Sequence, residues 1–403
     1  MKNIFQIRSG HFLLILAVVA FLFGCTEEIT GPDILADKDG PAVINYIRVT
    51  DPAASDSLLV GAFLGNLIAI VGDNLGDTRE LWFNDQKALL NPTYVTDKSI
   101  IVNVPTTVPV VVTDEIKLVF SDGTELTYPF KINVPEPQIS GIKSEYVPDG
   151  GTAIIYGDFF FEPMTVTFSG DVAGSIVSLS KTEVQVIVPE GATPGPIKIS
   201  TNFGTQESGF LFRDNRNILL DFDTKLHETW TARIGYDDVP GVTPISGNFA
   251  YFQSESHGAW QWVNEMTMQY WAPRGRGDIP IATGLVSDLI FKMEVNVPVE
   301  WQSVRMEIFF SPSAEDHGRD APGTAMARWQ PWKDGPYTTD GWQTLAIPLS
   351  DFVYNKDDSD DNPTAKLDDV SNLANITIML FGPADTSNPV LIAFDNVRVV
   401  PIN

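Results

Sequence analysis

The chain has 403 residues, 43% of them hydrophobic and 11% aromatic, with 26 basic and 52 acidic side chains. A formal net charge of −26 excludes a nucleic-acid binder, because phosphate contacts need clustered Lys and Arg, and it repels an anionic membrane surface. With a single cysteine, an internal disulfide framework is excluded as well.

Lys2 and Arg8 form a short basic region, and Phe12 to Phe23 is an unbroken apolar run. Twelve helical residues rise only about 18 Å against a hydrocarbon core of roughly 30 Å. The run therefore reads as the core of a signal peptide, residues 1–24, and not as a membrane span. Leu22-Phe23-Gly24-Cys25 resembles the lipobox of bacterial lipoproteins. That resemblance implies that Cys25 is lipidated and that the lipid is the chain's only hold on the membrane; a chance cysteine is the plainer alternative. Thr26-Glu27-Glu28 resembles the acidic surface-export signal of Bacteroidota lipoproteins, which implies an outer-membrane protein facing the outside. Loss of Lys2 and Arg8 with the signal peptide takes the formal charge to −28.

Residues 25–40, the lipidated cysteine and TEEITGPDILADKDG, have no apolar period and read as a tether. From 41 onward short β-branched and aromatic runs alternate with Gly, Pro, Asn and Asp, which predicts strands throughout. A repeat is visible. Leu67-Ile-Ala-Ile-Val-Gly72-Asp73 matches Thr152-Ala-Ile-Ile-Tyr-Gly157-Asp158, and Ile100 to Pro105 matches Val184 to Pro189. Each copy closes with a strand, a Gly-centred turn (Gly123, Gly204) and an aromatic strand. Gly72 and Gly157 are expected at tight turns with positive φ. The pattern resembles the immunoglobulin-like IPT/TIG domain over 41–135 and 136–213, and nothing in either copy asks for chemistry. Both read as spacers.

Residues 214–403 differ in composition and hold eight of the nine tryptophans. Leu289 to Val297 alternates apolar residues with Lys292, Glu294 and Asn296, and Val304 to Phe310 alternates with Arg305 and Glu307. Period two predicts a sheet with one buried face, in a β-sandwich or jelly roll. The chain is thus expected to be all-β, with two tandem immunoglobulin-like sandwiches followed by a larger one.

No Gly-x-Ser-x-Gly, His-Glu-x-x-His, phosphate-cradling loop or Cys-x-x-Cys is present, and His227, His257 and His317 stand in unlike contexts. A flat aromatic covers the apolar face of a sugar ring while polar neighbours answer its hydroxyls. Three clusters fit that chemistry. They are Trp260 and Trp262; Trp271, followed by the turn-rich stretch around Arg274; and Trp329 with Trp332. Each tryptophan has a plainer reading as core, and Trp230, Trp301 and Trp342 are expected to be structural. Asp221, Asp223 and Asp395, on the first and last strands, are candidate ligands of a structural Ca²⁺, with turn formation as the alternative. No other cofactor is expected. Asp357 to Asp361 reads as a solvated loop.

The stretch Trp332 to Phe352, with Ala393-Phe-Asp-Asn-Val-Arg-Val399, resembles the C-terminal domain of Bacteroidota surface glycan-binding lipoproteins. The resemblance implies non-catalytic capture of polysaccharide, commonly a β-glucan such as xyloglucan or mixed-linkage glucan. It also implies as partners a TonB-dependent importer and its lid lipoprotein. Two rivals remain at this point: a glycoside hydrolase with an unrecognised carboxylate pair, and an adhesin whose tryptophans are only core.

Overall fold

The computed structural model describes residues 40–402 except 55, 227–232, 257–258, 260–266, 272–280, 313–317, 372, 374 and 383–387; of 267–271 it describes the backbone. Cys25 lies outside the described residues. All described elements are strands apart from short 3-10 turns, as the sequence predicts. The chain divides into two compact units, Met1–Asn133 and Val134–Asn403.

In the first unit Val43–Val49, Leu67–Asp73 and Ser99–Asn103 form one antiparallel sheet. Gln86–Lys87, Thr78–Phe83, Glu115–Phe120 and Glu125–Pro129 form a second. Alternation sends Ile68, Ile70, Leu81, Phe83, Ile116 and Leu118 into the space between them, where all are buried. Each such side chain contributes roughly 1.5–3 kcal/mol.

The second unit begins with a sandwich of the same kind. Gln138–Ile142, Thr152–Asp158, Glu183–Ile187 and Ser175–Leu179 face a sheet that includes Met164–Phe168 and Lys198–Thr201. Phe168 and Phe212 meet edge to face at 5.0 Å in its core. The two sandwiches share a detail that corrects the expectation for their glycines. Gly72 and Gly157 lie inside strands, each beside a register shift in the partner strand. The positive φ belongs two residues later, to Asn74 and Phe159. Glycine is needed because a Cβ would sit 2.0 Å from the Val43 carbonyl oxygen, or 1.9 Å from that of Gln138.

The larger sandwich pairs a six-stranded with a four-stranded sheet. The first runs Arg233–Gly235, Phe249–Ser254, Val390–Pro401, Leu289–Asn296, Gln343–Pro348, with Ile218–Leu220 also on Val390–Pro401. The second runs Thr267–Trp271, Asn375–Phe381, Arg305–Ser311, Ala325–Trp329. Phe291, Met293 and Val295 meet Met306, Ile308 and Phe310 in the core between them.

The expected single buried face is wrong. Lys292, Glu294 and Asn296 are 8%, 0% and 2% exposed, and Arg305 and Glu307 are 8% and 0%. Residues 143–145 of the preceding sandwich cover the first set. The Thr344 N–H donates to the Lys143 carbonyl at 2.9 Å, beside the edge strand Gln343–Pro348. The Glu145 N–H donates to Thr344 Oγ1 at 2.7 Å, and Ser144 Oγ to Glu294 at 2.8 Å. Lys292 Nζ reaches Glu145 at 2.5 Å, and Arg398 spans Glu145 at 2.7 Å and Glu294 at 2.9 Å. Two cations thus neutralise two carboxylates away from water, which a buried charge requires. Burial works against the charge of Arg398, but Glu294 and Glu145 outweigh it and raise its pKa. On the other sheet Arg305 and Arg319 both donate to Glu307, at 2.8 and 2.9 Å, and Arg319 lies 4.3 Å over the Phe381 ring.

Candidate glycan-binding site

The strand Ala325–Trp329 ends the four-stranded sheet, pairing Trp329 with Met306. The one-turn 3-10 helix Pro331–Asp334 follows and stops at Gly335, whose φ of 134° suits glycine. The chain then returns, and Tyr337 bridges Trp301 by two backbone hydrogen bonds of 2.9 and 3.0 Å.

These turns stack aromatic rings in sequence. Trp301 is fully buried, as expected, and Trp329 packs on it edge to face at 5.2 Å. Tyr337 meets the other side of Trp329 at 5.8 Å. Trp332 is half-buried, and its indole N–H donates to the Val304 carbonyl at 2.6 Å. That bond fixes the ring and leaves its indole edge unavailable to a ligand, so Trp332 offers a face only. Trp329, Trp332 and Tyr337 are all partly open to solvent beside the exposed Lys333 and Asp334.

The polar frame of this loop comes from a residue the sequence reading missed. Asp360 accepts from Arg328 at 3.0 Å, Gln330 at 3.2 Å and Lys333 at 2.7 Å, three residues that flank the tryptophans. Burial raises the Asp360 pKa, but the bonds from Lys333, Gln330 and Arg328 outweigh it and bring the carboxyl to about 2. Its carbonyl also takes the Tyr354 hydroxyl at 3.0 Å. Asp358 closes the same loop, accepting from the backbone N–H groups of Asn355 and Thr364 and from the Thr364 hydroxyl. The run 357–361 is therefore not a freely solvated loop: alternate aspartates are tied down. The sequence Asp357-Asp-Ser-Asp-Asp361 carries no signal that singles out Asp358 and Asp360.

The other candidates lie elsewhere. Trp260, Trp262 and Arg274 are outside the described residues, as is Trp230. Trp271 ends the strand Thr267–Trp271, opposite Asn375. Thr267–Trp271 and Ala325–Trp329 are the two outer strands of the four-stranded sheet, and Trp329 lies level with Leu380 through Met306. Trp271 is thus about 14 Å across and about 17 Å along the sheet from Trp329. The structure does not bring these two clusters together.

Asp221, Asp223 and Asp395, candidate Ca²⁺ ligands or turn formers, are neighbours: burial first, and then the charges of Glu294, Asp223 and Asp221, push the Asp395 carboxyl well above its ordinary pKa. Asp221 accepts from the Thr224 hydroxyl and from three backbone N–H groups, those of Asp223, Thr224 and Lys225, which makes it a turn former. Asp223 accepts twice from Asn248, and Asp395 is buried with the Asn396 N–H at 2.7 Å. Among the described residues no group of three or more His, Cys, Asp or Glu is placed to hold a metal ion.

A buried aromatic base, a fixed pair of half-open indoles and an ionic frame make a surface for a planar, hydroxyl-rimmed ligand. Residues 212–401 match the family model for the xyloglucan binding domain of surface glycan-binding protein B. The matched residues span the larger sandwich. An IPT/TIG domain-containing protein of Bacteroides ovatus is 23% identical over 524 aligned positions, covering 99% of this chain and 100% of the relative. A surface glycan-binding protein B of Prevotella bryantii has a crystal structure 27% identical, with a TM-score of 0.66, covering 90% of this chain and 99% of that one. The match takes in both sheets of the larger sandwich and the whole Trp329–Tyr337 loop.

Proposed function

We propose that this protein captures a β-glucan, of the xyloglucan or mixed-linkage type, on the bacterial surface without cleaving it. The observation that carries this reading is the Trp329–Trp332–Tyr337 surface, braced by Asp360, within a domain of a glycan-binding family. Stacking on fixed rings costs little conformational entropy, and weak single sites suit a ligand that is handed on. The receiver is a TonB-dependent importer with its lid lipoprotein. The tether and the lipid on Cys25 hold the protein to the outer membrane with its binding domain outward. Among the described residues no helix is long and apolar enough to cross a membrane.

Electrophoresis of residues 26–403 through gels containing single polysaccharides tests the reading. Retardation by xyloglucan or mixed-linkage glucan, with no shortened product after incubation, is the expected result. Absence of retardation by every polysaccharide, with folded protein, overturns it. Release of oligosaccharides would make the chain a hydrolase.

A further inference from the structure

Trp342 stands apart from the surface just described. Its indole N–H donates to the Thr243 carbonyl at 2.6 Å and its ring meets Phe249 at 5.7 Å, so its orientation is fixed. One side of the residue nevertheless remains open, and it lines a cleft of about 250 Å³. The opposite wall belongs to the second immunoglobulin-like sandwich, through Lys143, Tyr146, Thr152 and Ile154. Both walls lie in the same compact unit, and the buried charges of Glu145, Lys292, Glu294 and Arg398 join the two sandwiches that carry them.

We infer that this cleft is a second sugar subsite, which takes one neutral pyranose unit projecting from the bound glycan. Three properties carry the inference. The cleft is smaller than the ~300–1,000 Å³ of pockets for drug-sized ligands, so it suits one ring and not a chain. Its charges are already paired: Lys143 reaches the carbonyl of Asp340 and its carboxylate, the latter at 3.5 Å. A self-neutralised rim favours an uncharged ligand, while the Asp340 carboxylate, fully exposed, keeps lone pairs for hydroxyls. The Trp342 ring supplies the flat apolar face that a sugar needs. Only five residue steps separate Tyr337 from Trp342, so their backbones are within about 18 Å of each other. One oligosaccharide spans that distance. The second sandwich, read from sequence as a spacer, then contributes directly to binding.

This inference rests on the glycan-binding function proposed above. The test uses residues 26–403 and isothermal titration with a branched xyloglucan oligosaccharide and an unbranched cello-oligosaccharide of equal backbone length. Thr152→Trp fills the cleft from an exposed strand position that tolerates an aromatic, and Asp340→Ala removes the hydroxyl acceptor. Each is expected to weaken the branched ligand about threefold to tenfold and to leave the unbranched one unchanged, with melting temperatures preserved. Wild-type binding with both variants unchanged overturns the subsite alone. Failure of the wild-type protein to bind either ligand overturns the proposed function and the subsite with it.

Discussion

Two four-membered polar clusters sit in the same compact unit and solve opposite problems. Glu145, Lys292, Glu294 and Arg398 are shut away from water where two sandwiches meet. Gln330, Lys333 and Asp360 are part-exposed and, with the buried Arg328 side chain, surround the aromatic surface. In the dry cluster each charge depends on the others, because desolvating an unpaired ion costs several kcal/mol. Around Lys333 and Asp360 water stands ready to replace a lost partner, so their pair fixes geometry more than it adds stability. Similar side-chain chemistry is glue in one place and scaffold in the other.

The contrast breaks most easily at Arg398. Arg398→Met leaves two buried carboxylates facing Lys292 alone and should cost about 3–5 kcal/mol in denaturant unfolding of residues 26–403. Adding Glu145→Gln and Glu294→Gln should restore a large part; a loss under ~1 kcal/mol in the single variant would mean the cluster is hydrated. Trp329→Ala comes next. The ring is packed between Trp301 and Tyr337, so stability should fall by roughly 1–3 kcal/mol, less than for a fully buried tryptophan. Glycan affinity should fall by a similar amount, and Trp329→Phe should retain most of the stability.

Asp360→Asn is expected to cost only about 1 kcal/mol in stability, since the carboxylate is 30% exposed. It should weaken glycan binding all the same, by loosening Gln330 and Lys333. The smallest effect is in pH. Asp360 titrates at about 2 in the folded chain against an ordinary 3.8. Its contribution is therefore complete above about pH 4 and fades as pH falls through about 2. Melting curves of wild-type protein and Asp360→Asn should converge across that interval. Convergence at neutral pH would mean that the ionic frame does not form.

The strands, the repeat and the split into small and large sandwiches were legible in the sequence because period two and turn residues are local signals. The candidate site was legible by halves. Tryptophan clustering marked the loop at 329 and 332, but an indole does not reveal from sequence whether its N–H is already spent, as that of Trp332 is on Val304. Asp360 was missed because its partners lie 27 to 32 positions away. The same limit explains the buried charges. Lys292 and Glu294 alternate with apolar neighbours just as solvent-facing residues do, and the segment that covers them lies 147 and 150 positions earlier. Gly72 and Gly157 were recognised as constrained, but the constraint was a neighbouring carbonyl and not their own φ.

The hydrogen bond from Thr344 to Lys143 has a practical consequence for where the chain tolerates cutting. Gln343–Pro348 is the last strand of the six-stranded sheet, and residues of the preceding sandwich cap it. A fragment starting at 214 would uncover that strand's free amides and carbonyls, and would leave Lys292, Glu294 and Arg398 without Glu145. Such an edge is a template for strand addition between copies. The smallest piece of this unit that stays monodisperse should therefore begin near 134, so insoluble or self-associating shorter fragments would reflect a severed edge and not a failure of the glycan surface.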